Sequence, residues 1–305
     1  METLSNQLYQ ALIEEVQRRL GLPQSSLRRL LLEALIRQPV RRFSNLAERF
    51  DQLVGEFDFC SAARRFLPYF IHSLSIFGIE NIPRKGPLLV LANHPGAVDS
   101  LILPACIQRP DLKVVATNIP FFSSLPALRK YLILTPQKGS GRMVVIREVL
   151  RHLEAGGAVL IFPSGGVDPD PALFDYASTA LERWSESVAL FLRKAPQSIV
   201  QIAVVSGVVA RQCIAHPLTY LGRNLQQRQL IAEFIQIMGQ MMQNQKYCVD
   251  PRVWIGEPLE AWRLIENAGA DLMGRIIHSA KTMLESQAQF SEAPYYLLQP
   301  PAETN

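Results

Sequence analysis

The sequence predicts an α/β fold, a largely parallel sheet flanked by helices, with an N-terminal helical segment ahead of it. Three observations lead there. From Gly86 onward, short β-rich runs alternate with helix-like stretches, the pattern of βαβ units. Before that point the chain reads as helices alone. Finally, 48% of the 305 residues are apolar, which is enough to fill a full core and too many for a largely disordered chain.

The helical segment is read at residues 5–20, 25–37, 45–57 and 61–77. Leu20-Gly21-Leu22-Pro23 and Gln38-Pro39 supply breaks, and Pro68 kinks or splits the last helix, because proline lacks an N–H and clashes with the preceding turn. Strands are expected at 88–92, 113–117, 131–135, 158–162, 199–205 and 252–255, each a short apolar run. The helices between them fall at 97–107, 123–130, 141–155, 176–194 and 224–244, and a last one at 270–287. From Ser291 the chain is rich in proline and polar residues and reads as a mobile tail. The expected organisation is a helical segment over 1–77, an α/β domain over 78–290 and a tail over 291–305.

No run of about 18 apolar residues occurs, so a spanning helix is not expected. Met1-Glu2-Thr3-Leu4 lacks the pattern of a signal peptide, which argues for a cytoplasmic protein. Cys60, Cys106, Cys213 and Cys248 are scattered and read as free buried thiols. His72, His94, His152, His216 and His278 show no metal-ligand spacing, so no metal is expected. The net charge of +4 is unevenly spread: Arg18, Arg19, Arg28, Arg29, Arg37, Arg41 and Arg42 face the single acid Glu33. Such a segment suits an anionic bilayer, each cation adding about 1 kcal/mol near it, or is a solvated helix face. No recognised module or interleaved aromatic pattern accompanies these arginines, so nucleic acid is not an expected partner.

The stretch Leu89-Val90-Leu91-Ala92-Asn93-His94-Pro95-Gly96-Ala97-Val98-Asp99 delivers a histidine from an apolar strand and, five positions on, a carboxylate. His94 would sit in the strand-to-helix turn and Asp99 in the first helical turn, within reach of one ring N–H. The other ring nitrogen is then left for substrate. An imidazole oriented and made more basic by a carboxylate suits removal of a hydroxyl proton at neutral pH. An aspartate favoured by a helix start beside an ordinary turn histidine gives the same spacing.

Ligands of open α/β sheets gather where strand C-termini meet helix N-termini, which brings in two further loops. Pro136-Gln137-Lys138-Gly139-Ser140-Gly141-Arg142 sets glycines and the cations Lys138 and Arg142 at a helix start. That composition suits an anion cradle or a loop with solvated cations. Pro163-Ser164-Gly165-Gly166-Val167-Asp168 holds small residues, and Ser164, Gly165 and Gly166 can turn backbone donors toward developing negative charge. A plain turn has the same composition.

Asn93-His94-x4-Asp99 with Phe162-Pro163-Ser164-Gly165, about 70 residues later, resembles the glycerolipid acyltransferase superfamily, whose hallmarks are an NHxxxxD and an FPEGTR block. The resemblance runs from about Phe77 to Pro258 and implies that His94 is the general base and that Asp99 orients it. It further implies an acceptor oxygen that attacks the thioester of acyl-CoA or acyl-carrier protein directly, with no cofactor beyond that co-substrate. The absence of a serine in a G-x-S-x-G elbow agrees with direct attack. The departures include Ser164 for the family's Glu, Gly166-Val167 for its Thr-Arg, and no arginine in register in Tyr131-Leu132-Ile133-Leu134-Thr135-Pro136-Gln137, where Lys138 or Arg142 could supply that charge. Together with Leu125-Pro126-Ala127-Leu128-Arg129 and His216-Pro217-Leu218, they are similar to a hemolysin-like or lyso-ornithine-lipid branch, whose third block begins FPAG. The resemblance implies a peripheral membrane enzyme on the inner face, acylating a lipid or lysolipid hydroxyl. Its helical segment would dock on the bilayer, with Phe66, Leu67, Tyr69, Phe70 and Ile71 reaching the acyl layer or, the more frequent fate, packing on the catalytic domain. Two alternatives stand beside it: a thioesterase or hydrolase using the same His/Asp pair, and a non-catalytic lipid-binding relative.

Overall fold

The computed structural model describes residues 4–19, 27–136, 141–269, 271–289 and 295–297. Helices α1 (Leu4–Arg19), α2 (Leu27–Glu56) and α3 (Phe59–Phe66) open the chain. α2 runs through Pro39 without the break expected there. Proline forfeits one backbone bond, but Ile36 and Val40 on either side are buried with Tyr9 and Ile13 of α1, against Phe234 and Met238, and tertiary burial outweighs local propensity. Part of the basic run is engaged within the protein. The Arg41 guanidinium lies 5.5 Å from the Tyr9 ring centre, and Arg42 donates to the carbonyls of Met241 and Met242.

Asp58 caps α3 by accepting the Ser61 N–H at 2.9 Å, and Pro68 opens a single 3-10 turn, Leu67–Tyr69. The helix read over 61–77 therefore stops early, and Ser73–Phe77 is a strand, β1. Ser73-Leu74-Ser75-Ile76 alternates in the period of a pleated strand, a signal too short to stand out behind a helical run. The sheet thus begins ahead of position 78. Phe66, Leu67, Phe70 and Ile71 are 1–5% exposed and belong to the main core, with Tyr69 partly buried against it. They pack inward and do not face a bilayer.

The chain continues through β2 (Leu88–Ala92), α4 (Asp99–Ile107), β3 (Lys113–Thr117), α5 (Pro120–Ser123), β4 (Leu132–Thr135), α6 (Arg142–Glu154), β5 (Ala158–Ile161), α7 (Ala177–Ala180), α8 (Ser187–Lys194) and β6 (Ile199–Ser206). It ends with α9 (Arg211–Ile214), α10 (Leu225–Met242), β7 (Arg252–Ile255), β8 (Leu259–Glu260), α11 (Ala261–Ala268), α12 (Leu272–Gln289) and β9 (Tyr295–Leu297). The helix read over 123–130 is replaced by α5 and a 3-10 turn at Leu128–Tyr131, because Pro126 interrupts it. The one read over 176–194 is divided at Trp184, whose backbone is extended. Within the stretch read as a mobile tail, Tyr295–Leu297 pairs antiparallel with β1, so its backbone bonds go to a sheet edge.

Among the described residues the strands form a single sheet in the order β4-β3-β5-β2-β6-β7-β1-β9, with β8 on β6. β4, β3, β5, β2 and β6 are parallel neighbours, and the direction reverses between β6 and β7. β2 is central, and its side chains alternate between two cores. Leu88, Val90 and Ala92 join the core built with α2, α3, α4 and α10; Leu89 and Leu91 join the one built with α6, α8, α11 and α12. Burial on both faces explains why β2 is a continuous apolar run.

The parallel strands bring their C-terminal ends to one edge. The opposite edge is tied by Arg109, 2% exposed, which donates to the carbonyls of Gly86 and Gly156, ahead of β2 and β5, and pairs with Asp111.

Candidate active site

Strand β2 ends in a side-chain rung. Asn93 Nδ2 donates to the Val205 carbonyl at 2.8 Å, and its Oδ1 accepts the Val205 N–H at 2.7 Å. The β2–β6 ladder is thereby prolonged while the main chain turns away toward His94. The turn is tight at Gly96, where a Cβ would come within 3.0 Å of Val208 Cγ2 and 3.5 Å of the Glu233 carboxyl group. Asp99, fully buried at the start of α4, accepts the Gly96 N–H at 2.9 Å on Oδ2 and meets His94 Nδ1 at 2.8 Å with Oδ1. The carboxylate selects the tautomer with hydrogen on Nδ1, so Nε2 carries the free lone pair. The His94 ring stacks on Phe162 with centroids 4.4 Å apart, and its side chain is 24% exposed. Among the described residues, Asp99 makes the only hydrogen bond to the ring.

The loop after the neighbouring strand β5 is sewn onto this turn. Asp168 Oδ2 accepts the His94 N–H at 2.9 Å and the Ser164 hydroxyl at 3.0 Å, while the Asp168 N–H donates to the His94 carbonyl at 2.7 Å. Ser164, Gly165 and Gly166 therefore lie beside the His94–Asp99 pair, with Gly165 at a positive φ of 68° and exposed. Lys138 and the side chain of Arg142 lie outside the described residues. β4, from which their loop departs, stands three strands from β2, about 14 Å at ordinary strand spacing.

Some residues of the site escaped the motif reading. Asp168 was legible only as a loop residue; its buried carboxylate, with Arg183 at 3.6 Å, became evident from the fold. Helix α10 presents Gln229, Glu233, Gln236 and Gln240 at spacings of four, three and four, a polar stripe on its inner face. Gln229 donates to the carbonyls of Pro95 and Asp168 and accepts the Asp170 N–H. Gln236 donates to Val208 O and accepts from Ala210 N–H. Buried polar side chains at helical spacing were the signal in the sequence. Asp170 gathers the N–H groups of Ala172, Gly207, Val208 and Val209, which fixes the ends of β5 and β6 together.

Burial pulls the His94 pKa down, but the charge and hydrogen bond of Asp99, with Glu233 and Asp168 nearby, overcome it and lift it to about 9. Burial likewise pushes Glu233 up to about 8, against the attraction of His94, and its Oε1 has no hydrogen-bond partner. The carboxyl of Asp168 is raised by burial, opposed by its bonds to the His94 N–H and Ser164. The thiols are poor nucleophiles, since burial pushes Cys60 and Cys106 up to about 12 and Cys213 and Cys248 to about 11. All four are free, three buried and Cys248 partly exposed.

A carboxylate-oriented imidazole at the C-terminal edge of a parallel sheet, with no hydroxyl or thiol bonded to it among the described residues, has the chemistry to take a proton from an external hydroxyl. Residues 73–218 match the acyltransferase family model. An uncharacterised protein of Mycobacterium tuberculosis (strain H37Rv) is 31% identical over 130 residues, covering 38% of this chain and 35% of that protein. One from Mycobacterium leprae is 29% identical over a stretch of the same length, 34% of its own. The match thus spans about a third of the curated relatives' length. The chain also aligns with the crystal structure of the 1-acyl-sn-glycerophosphate (LPA) acyltransferase PlsC from Thermotoga maritima, at a TM-score of 0.45 and 15% identity, over 93% of this chain and 95% of that one.

Proposed function

We propose that the chain is a lipid acyltransferase that moves a fatty acyl group from acyl-CoA or acyl-carrier protein to the hydroxyl of a lipid or lysolipid. The observation that carries this reading is the His94 Nδ1–Asp99 Oδ1 contact of 2.8 Å, which leaves Nε2 without a hydrogen-bond partner among the described residues on a side chain that is 24% exposed. In the reaction, Nε2 removes the acceptor hydroxyl proton as that oxygen attacks the thioester carbonyl. The tetrahedral adduct then expels the thiolate by cleavage of the C–S bond, and the imidazolium returns the proton to sulfur. Asp99 supports the imidazolium throughout. Backbone donors of the Ser164-Gly165-Gly166 turn are the candidates to face the developing oxyanion, and Lys138 and Arg142 the candidates to meet an acceptor anion. Direct transfer is supported by the lack, among the described residues, of a serine or cysteine bonded to the ring.

The setting proposed is the inner membrane face, with the chain bound peripherally. Consistent with this, no helix of the described residues is long and apolar enough to cross a membrane. The deciding experiment incubates the purified protein and its His94→Ala variant with labelled acyl-CoA, or acyl-carrier protein, and a bacterial lipid extract. An acylated lipid made only by the intact protein is the expected product. Free fatty acid alone would point to a thioesterase, and no product with either donor to a non-catalytic lipid-binding protein.

A further inference from the structure

We propose that the corner formed by Pro217–Leu221 and the start of α10 is the surface by which this chain seats on an anionic bilayer. The proposal rests on the lipid acceptor inferred above and specifies where that lipid phase is met. Leu218 is 50% exposed, Tyr220 70%, Leu221 76% and Leu225 43%. Isolated exposed apolar residues are ordinary, but a cluster within eight positions marks an interaction surface.

Their exposure is built into the fold. Between them Thr219 is fully buried, and its hydroxyl bonds to the carbonyls of Ile214 and His216. His216 Nδ1 accepts the Leu218 N–H, and the Gly222 N–H donates back to Thr219 O. One inward threonine thus holds its neighbours outward.

Charge selects the partner. From Arg211 to Ala232 the chain carries Arg211, Arg223 and Arg228 and no Asp or Glu. The Arg228 guanidinium lies 4.4 Å from the Tyr220 ring centre, and Arg228 is half-buried where Tyr220 is exposed. Aliphatic tips ahead of a cation suit a membrane interface, where apolar side chains enter the acyl boundary and cations remain near the phosphates.

Position links this corner to the chemistry. Gln226 donates to Val167 O, and Gln229 to the carbonyls of Pro95 and Asp168. From Leu225 to Gln229 is about 6 Å of helix rise. A bilayer gripping this corner therefore lies about one helix turn from the residue that braces the loops of His94 and Asp168, where an acceptor lipid need leave the membrane only in part.

The test sediments the purified full chain and a Leu218→Ser/Leu221→Ser variant with vesicles of phosphatidylglycerol or phosphatidylcholine, with circular dichroism to confirm folding. Arg223→Ser, on the exposed rim, is a second variant that leaves the apolar tips intact. The intact chain is expected to bind anionic vesicles and to lose binding at high salt. The double variant should bind at least tenfold more weakly and Arg223→Ser severalfold more weakly. Equal binding by the intact chain and the folded double variant overturns the proposal. So does unchanged vesicle binding with loss of binding to acyl-carrier protein, which would assign the corner to the donor. Vesicle binding lost in the variant while the intact chain forms no acylated lipid would sustain the surface and refute the acyltransfer reading instead.

Discussion

His94 and Asp168 bind each other twice through the main chain: the Asp168 carboxylate takes the His94 N–H, and the His94 carbonyl takes the Asp168 N–H. The turn bearing His94 is therefore set by the loop that follows β5. Asp168→Ala leaves the His94 N–H without an acceptor and leaves the Ser164 hydroxyl with only the Gly166 carbonyl, at a cost of about 1–3 kcal/mol in stability. Turnover is expected to fall about tenfold or more, with Asp168→Asn, which retains an acceptor oxygen, closer to the intact protein. Denaturant titration and single-turnover assays check both.

Removal of the base has a sharper signature. His94→Ala should lower kcat by about a thousandfold and Asp99→Asn by about a hundredfold, in the range of general-base contributions. Both variants should retain the far-ultraviolet spectrum. An Asp99→Asn enzyme with unchanged kcat would show that the imidazole needs no carboxylate.

Acidity couples Glu233 to the base. In the proposed role His94 must lose its proton to act, and with its pKa at about 9 activity should climb as pH rises past neutrality. Replacing Glu233 by Gln removes one negative neighbour and should move the midpoint of kcat/KM down toward the ordinary histidine value of 6.5. Stability runs the other way. Both groups hold protons more tightly when folded, so the stability they contribute is complete below about pH 4.5 for Glu233 and 6.5 for His94. It is lost as pH rises through about 8 and about 9, respectively. Thermal unfolding across this range should show the decline, flattened in Glu233→Gln.

At the far edge of the sheet, Arg109→Ala strands the carbonyls of Gly86 and Gly156 and the carboxylate of Asp111. A loss of about 3 kcal/mol in stability is expected, with the KM for acyl donor unchanged, since this residue sits opposite the active edge. Equilibrium unfolding and steady-state kinetics separate the two effects.

The strands that meet the site were legible because burial on both faces writes an uninterrupted apolar run, as in Leu88–Ala92. The His94–Asp99 pair was legible because it is local, within one turn. What the sequence left unread is non-local. β1 is a strand only because β7 and β9 flank it, and α2 survives Pro39 only because α1 and α10 pack around it. Asp168 and Glu233 gain their meaning from burial beside a residue more than 60 positions away, which no window along the chain contains. The polar stripe of α10 was visible as spacing, yet its purpose, satisfying loop carbonyls at the active edge, depends on where the helix docks.

Asn93 lends its amide to the central ladder as though it were one more peptide unit. The imidazole is consequently bolted to the register of β2 against β6. Its swing cannot be released by fraying a surface loop; it requires opening the innermost strands, which exchange their amide hydrogens last. Under the proposed acyl transfer, the substrates must accommodate themselves to a post held by the central strands, so any adaptation between acceptors falls to the loops around His94.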